Sequence, residues 1–188
     1  GNLFVDDPLV LKEIGTRVIG AITSGETAGD STEPQAEEYV SQIEAAYPEI
    51  AELAASVFVY NYYTAAEGLI RALEEVDGDI SDLDAFWEAL SNTEFEAAYG
   101  PISLDENRQA ISNNYVKRVV PDEDGDGVPE VETIRRIPDV DQSFGGTFTP
   151  DSPAPDRSNP PCEQRDIPWV GQGEEVNFSE GAQQAQKE

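Results

Sequence analysis

An α/β chain is what the sequence predicts, on three observations. Strand-length runs of β-branched and apolar residues recur, apolar residues repeat at helical spacing in between, and a turn-rich stretch joins two late strand-like runs.

Taken in order, Pro8 to Gly15 reads as a short helix stopped by glycine. Arg17-Val18-Ile19-Gly20-Ala21-Ile22-Thr23 has the composition of a strand, and Ser24 to Asp30 that of a loop. From Ser31 the pattern turns helical: Thr32 is placed to cap, Pro34 suits a first turn, and Tyr39, Val40, Ile43, Ala46 and Tyr47 follow at helical spacing before Pro48.

A longer helix is predicted from about Ser56 to Val76, with Val59, Tyr62, Tyr63, Ala66, Leu69, Ile70 and Leu73 as its buried face and Gly78 as its stop. Ser81 or Asp82 caps the next helix, whose expected stripe is Leu83, Phe86, Trp87 and Leu90. Ala98-Tyr99-Gly100-Pro101-Ile102-Ser103-Leu104 then reads as a helix exit, a tight turn and a short buried strand. Tyr115 to Val120 and Val131 to Ile137 are strand-like, and Pro121 to Gly127 joins them as a hairpin. Beyond Gly146, Thr147 to Pro161 is rich in Pro, Ser and Asp, and Gly181 to Glu188 is a Gln/Ala/Glu tail. Both are expected to be extended or disordered, with an anchor at Ile167-Pro168-Trp169-Val170.

Charge excludes one class of partner. With 39 acidic and 11 basic residues the net charge is −28, which repels a phosphate backbone, so nucleic acid is not an expected partner. The same charge favours a soluble monomer, and abundant Asp and Glu beside three lysines suit a salt-rich medium that screens the repulsion. Cys162 is the single cysteine, so no disulfide can close within the chain. Without histidine, neither a Cys/His zinc site nor the usual general base is available, and no catalytic residue is assigned. Paired acids such as Asp82/Asp84 and Glu94/Glu96 are what this acid density produces by chance. No apolar run reaches the roughly 18 residues a membrane span needs.

One motif carries metal chemistry. Asp122-Glu123-Asp124-Gly125-Asp126-Gly127 has the D-x-D-x-D-G opening of a calcium loop, with Glu130 at its ninth position. Thr133 stands where the bidentate Glu would be, and strands flank the motif, so an ordinary turn built from turn residues is the favoured reading. No cofactor is expected, Ca2+ at Asp122, Asp124, Asp126 and Glu130 being the alternative.

Several passages, in this order, resemble type I periplasmic binding proteins of the branched-chain amino-acid and amide branch that serves ABC transporters. They are Val18-Ile19-Gly20-Ala21, Tyr63-Thr64-Ala65-Ala66 inside a long helix, Gly78-Asp79 before a "DAFWEAL" helix, Tyr99-Gly100-Pro101-Ile102, and Asp139-Val140-Asp141-Gln142-Ser143-Phe144-Gly145-Gly146. The resemblance implies the C-terminal portion of a two-lobe fold joined by three crossings, followed by an extended acidic tail. It implies an exported solute-binding component without enzymatic activity, which closes on an amino acid or small amide and hands it to a membrane permease. On that layout residues 1–26 end lobe II and enter a hinge crossing, 27–112 supply helices and the terminal strand of lobe I, 113–146 form a lobe II hairpin, and 147–188 are tail. A periplasmic or extracellular location follows. The start at Gly1 has neither a basic nor an apolar leader, so a missing N-terminus carrying the export signal or a lipid anchor is expected.

The resemblance also suggests ligand contacts. An aromatic residue at the start of the long helix faces the solute in the family, which points to Tyr60 and then Tyr63; the alternative for both is packing at the core margin. At the hinge, Ser24 and neighbouring N–H groups can hold a carboxylate and Glu26 can pair with an ammonium; the alternative is a solvated loop. Two other readings stay open: a calcium-stabilised acidic extracellular module, and a ligand-sensing receptor domain of the same fold.

Overall fold

The computed structural model describes residues 5–142, 151–153, 158, 169 and 171–178. Helix α1 (Pro8–Ile14) is capped by Asp7, whose Oδ1 accepts from Leu9 N at 3.1 Å, and it ends at Gly15 with φ 63°. The strand expected over Arg17–Thr23 lies further on. Gly15–Val18 winds into a 3-10 turn, Gly20 takes φ 87°, and strand β1 covers Ile22–Gly25. A 3-10 turn closes a hydrogen bond every third residue, so local bonds consumed the first half of an apolar run that periodicity assigned to a sheet.

Helix α2 (Pro34–Ala46) begins at Glu33 rather than with a Thr32 cap; it is Ser31 Oγ that accepts the Glu33 N–H, at 3.3 Å. A 3-10 stretch (Pro48–Leu53) leads to helix α3 (Val57–Glu75), capped by Ser56, whose Oγ accepts from Phe58 N. Its limits match the sequence, but its buried face does not. Val57, Tyr60, Thr64 and Ala72 are buried, while Tyr62 is 80% exposed and Leu69 and Ile70 also lie open. Helix α4 (Leu83–Ser91) is capped by Asp82, which accepts from Asp84 N and Ala85 N at 3.1 Å. None of its residues is buried, so the expected stripe of Leu83, Phe86, Trp87 and Leu90 is only partly covered.

Strands β2 (Phe95–Ala97) and β3 (Gly100–Leu104) form a hairpin, so Ala98 and Tyr99, read as a helix exit, are its turn, and Gly100-Pro101, read as the turn, open a strand. Arg71 lies over the Phe95 ring at 4.8 Å, holding β2 against α3. The long strands β4 (Ala110–Val120) and β5 (Glu130–Val140) make the predicted hairpin, longer than expected at both ends. Pro138, inside β5, lies in the register shift between Ser112 and Asn114, where a missing N–H breaks no ladder bond. All partners are antiparallel, in the order β2-β3-β4-β5-β6, and β1 pairs with β4 beyond the end of β3.

Strand β6 (Glu174–Glu175) is new relative to the sequence reading. It pairs with Arg136 and Arg135 of β5, and Arg136 joins Glu174 at 2.9 Å and Glu33 at 3.1 Å. Phe178 then packs against the core, so this part of the tail is docked rather than free. Of the expected anchor only Trp169 is described, and Cys162 and the 181–188 stretch lie outside the described residues.

Tyrosines dominate the core. Tyr39 meets Tyr63 edge-on at 4.9 Å and Tyr99 at 6.1 Å, and Tyr60 meets Tyr99 at 4.8 Å. Such pairs contribute about 0.5–1.5 kcal/mol each beyond the area they bury. Their polar ends are partnered: Tyr39 donates to Ala54 O at 2.9 Å and Tyr115 to Tyr99 O at 3.0 Å. A second buried group is ionic. Lys117, on the inward face of β4, pairs with Asp6 and donates to Thr27 Oγ1 at 3.3 Å.

Candidate functional site

A cavity of about 510 Å3 opens between α3, α4 and the β2–β3–β4 sheet. Tyr60 and Thr64 reach it from α3, Trp87 from α4, Phe95 from β2, Arg108 from the β3–β4 turn, and Glu26 from the loop after β1. These positions follow from the elements: Tyr60 and Thr64 are one helical turn apart on the buried face of α3. Glu26 follows directly on β1, which the β4 ladder holds in place.

The lining is mostly apolar, with a few convergent polar groups, which is the usual composition of a solute pocket. Burial pushes the Tyr60 phenol up to about 12, and the negative charge of nearby Glu26 adds to the shift. Tyr60 therefore remains a neutral hydroxyl. Thr64 lies one turn further along α3, nine-tenths buried, with its Oγ1 left without a hydrogen-bond partner among the described residues. An unsatisfied buried hydroxyl costs about 1–3 kcal/mol, which a polar group entering the cavity relieves.

The four residues singled out as ligand contacts are thus divided. Tyr60 and Glu26 line one cavity. Tyr63 faces away from it, packing on Tyr39 and donating to Gln42 Oε1 at 2.6 Å. Ser24 is exposed and pairs with Val116 within the β1–β4 ladder; the alternation that buries Thr23 and Gly25 turns it outward. Sequence reasoning missed Thr64, Trp87, Phe95 and Arg108. The signal for Thr64 was its spacing of four from Tyr60; Arg108 had no signal beyond being a cation among acids.

A larger groove, about 780 Å3, runs between α3 and α4 beside Glu74, Glu75 and Glu88. It is acidic and is lined by none of Tyr60, Tyr63, Ser24 and Glu26.

In the β4–β5 turn, carboxylate oxygens of Asp122, Asp124 and Glu130 lie within 4.8 Å of one another. Asp126 stands apart from this group, accepting Val128 N at 2.7 Å. The loop uses its acids on its own backbone: Asp122 accepts from Gly125 N and Gly127 N, and Glu130 Oε1 from Glu123 N and Asp124 N. The bonds from Gly125 and Gly127 hold the Asp122 carboxyl below the usual range.

The family model described as periplasmic binding protein matches residues 3–126 of this chain. The chain belongs to the periplasmic binding protein family. Solved structures in the family share its fold. An ABC transporter substrate-binding protein from Sphaerobacter thermophilus is 24% identical with a TM-score of 0.64, over 71% of this chain and 35% of that one. An ABC-transporter solute-binding protein from R. palustris, in complex with 4-hydroxybenzoate, is 19% identical with a TM-score of 0.60, over 71% and 34%. A leucine-, isoleucine-, valine-, threonine- and alanine-binding protein from Brucella ovis is 16% identical with a TM-score of 0.59, over 73% and 36%. No curated protein matches the chain. The chain therefore spans about a third of the length of these periplasmic binding proteins, and the α/β, partial-lobe architecture expected from the motifs is the one observed. Among the described residues no helix is long and apolar enough to cross a membrane.

Proposed function

We propose that the chain is part of an extracytoplasmic solute-binding component of an ABC importer, which catches a small amino acid or a related carboxylic solute without chemical change and delivers it to the membrane permease. The observation that carries this reading is that Tyr60 and Glu26, far apart in sequence, line the same cavity of about 510 Å3. An aromatic hydroxyl, a free threonine hydroxyl and a carboxylate around apolar walls suit a solute with one apolar body and a polar end. In this reading residues 1–26 and 113–146 belong to one lobe, 27–112 to the other, and Glu26 faces Tyr60 across the hinge.

The cavity is bordered by Trp87, so binding is readable in its emission, with Trp169→Phe removing the only other tryptophan. Titration with leucine, valine, benzoate and 4-hydroxybenzoate is expected to give a saturable change for at least one solute, in the millimolar range because one wall is presented. Tyr60→Phe and Glu26→Gln should each weaken it. If no solute moves the emission even at tens of millimolar, the reading is wrong.

A further inference from the structure

The structure describes eight basic side chains, and six of them are in ion pairs: Lys12, Arg71, Lys117, Arg118, Arg135 and Arg136. Among the described residues Arg17 and Arg108 have none. In a chain with 39 acidic residues, an arginine that no described carboxylate pairs with stands out, and among the described residues Arg108 is the only basic one lining the cavity of Tyr60 and Thr64.

Its placement is built by the chain. The turn between β3 and β4 is closed by Asp105, whose Oδ1 accepts from Asn107 N and Gln109 N at 2.8 Å, while Arg108 N donates to Asp105 O at 2.9 Å. This turn holds Arg108 at φ 60°, a left-handed conformation that side-chain-bearing residues seldom adopt. The guanidinium is thereby laid over the Trp87 ring, 5.4 Å from its centroid. The five N–H donors of a guanidinium form a planar fork that matches the two oxygens of a carboxylate. The neighbouring walls, Phe95, Ile102 and Leu104, are apolar.

Resting on the solute-binding reading above, we propose that Arg108 is the residue that holds the solute's carboxylate, with Trp87 as its supporting plate, so that the solute class is a small carboxylic acid with an apolar body. Glu26, the only acid lining the cavity among the described residues, then discriminates for solutes that also carry an ammonium group. Thr64 Oγ1 supplies the remaining polar contact.

The test compares each acid with its primary amide: benzoate with benzamide, and 4-methylpentanoate with 4-methylpentanamide. Affinities are read from Trp87 emission in the Trp169→Phe chain, with circular dichroism confirming that each variant is folded. The chain is expected to prefer the acids about tenfold or more, as a charge-assisted hydrogen bond does. Arg108→Gln should abolish the preference while leaving the amides bound, and Arg108→Lys should keep part of it. Equal binding of acid and amide to the parent chain, or a preference that survives Arg108→Gln, overturns the assignment of Arg108 while leaving the cavity's role standing. Failure of every acid, amide and amino acid to bind overturns both.

Discussion

Gly100 and Asn113 face each other so closely that a Cβ added to Gly100 would lie 2.1 Å from Asn113 Nδ2. Gly100 also has φ 106°, which side-chain-bearing residues rarely adopt. Asn113 is buried and points its amide at Tyr99 O, 3.4 Å away. The glycine of the Tyr99-Gly100-Pro101-Ile102 passage is thus required by packing as well as by backbone geometry. Gly100→Ala is expected to destabilise the fold by about 2–4 kcal/mol, the sum of conformational strain and overpacking. Urea denaturation measures it; a loss under half a kilocalorie would mean that Asn113 moves aside freely.

Burial raises the phenols of Tyr39, Tyr60, Tyr99 and Tyr115, Tyr60 to about 12. Each folded-state value lies above the unfolded value near 10, so the stability linked to the neutral form is complete below about pH 10 and is lost as pH rises toward 12. The urea midpoint should therefore fall across that window. Tyr60 alone accounts for roughly 2–3 kcal/mol by pH 12, and Tyr60→Phe should flatten the fall. A midpoint curve that is identical in the two chains contradicts the assignment.

The Lys117–Asp6 pair is almost completely enclosed, with side-chain exposures of 3% and 5%. Lys117→Met strands a carboxylate away from water and should cost about 3–5 kcal/mol. The double change Asp6→Leu with Lys117→Met should recover much of that, because packed apolar groups can replace a buried ion pair. A double variant no more stable than the single one would show that the pair's geometry, not its charge balance, matters.

The turn from Asp122 to Glu130 supports itself through hydrogen bonds from its own backbone to Asp122, Asp124, Asp126 and Glu130. Thermal melts with chelator and with millimolar calcium should accordingly coincide. A calcium-dependent rise that Asp124→Asn removes would instead make this a calcium loop and favour the reading as a metal-stabilised module.

How much of this was legible depended on how local the cause was. Ser56 and Asp82 announced their helices because capping is settled within a few residues. The β4–β5 hairpin was legible for the same reason, its turn residues lying between two β-branched runs. The inward face of α3 was not: apolar periodicity marks a stripe but not the partner, and the partner here is a ring of tyrosines that takes Tyr60 and Thr64. Strand β2 was hidden because Phe95-Glu96-Ala97 is too short to show a period, and β6 because Glu-Glu is a poor strand sequence held by Arg135 and Arg136 from far along the chain. At the site, Tyr60 and Glu26 came from the family resemblance, whereas Arg108 is placed by tertiary stacking on Trp87 that no sequence spacing reports.

The docking of Glu174–Glu175 along β5 has a consequence for how copies of this chain meet one another. A sheet ending in open backbone donors and acceptors invites a neighbour's strand to add on, and repeated addition is the route to precipitation. Here the middle of that margin is occupied by the chain's own residues, and the side chains presented outward are glutamates in a molecule of net charge −28. Among the described residues this strand therefore closes part of a margin that another copy could otherwise extend, on a molecule whose overall charge already drives copies apart.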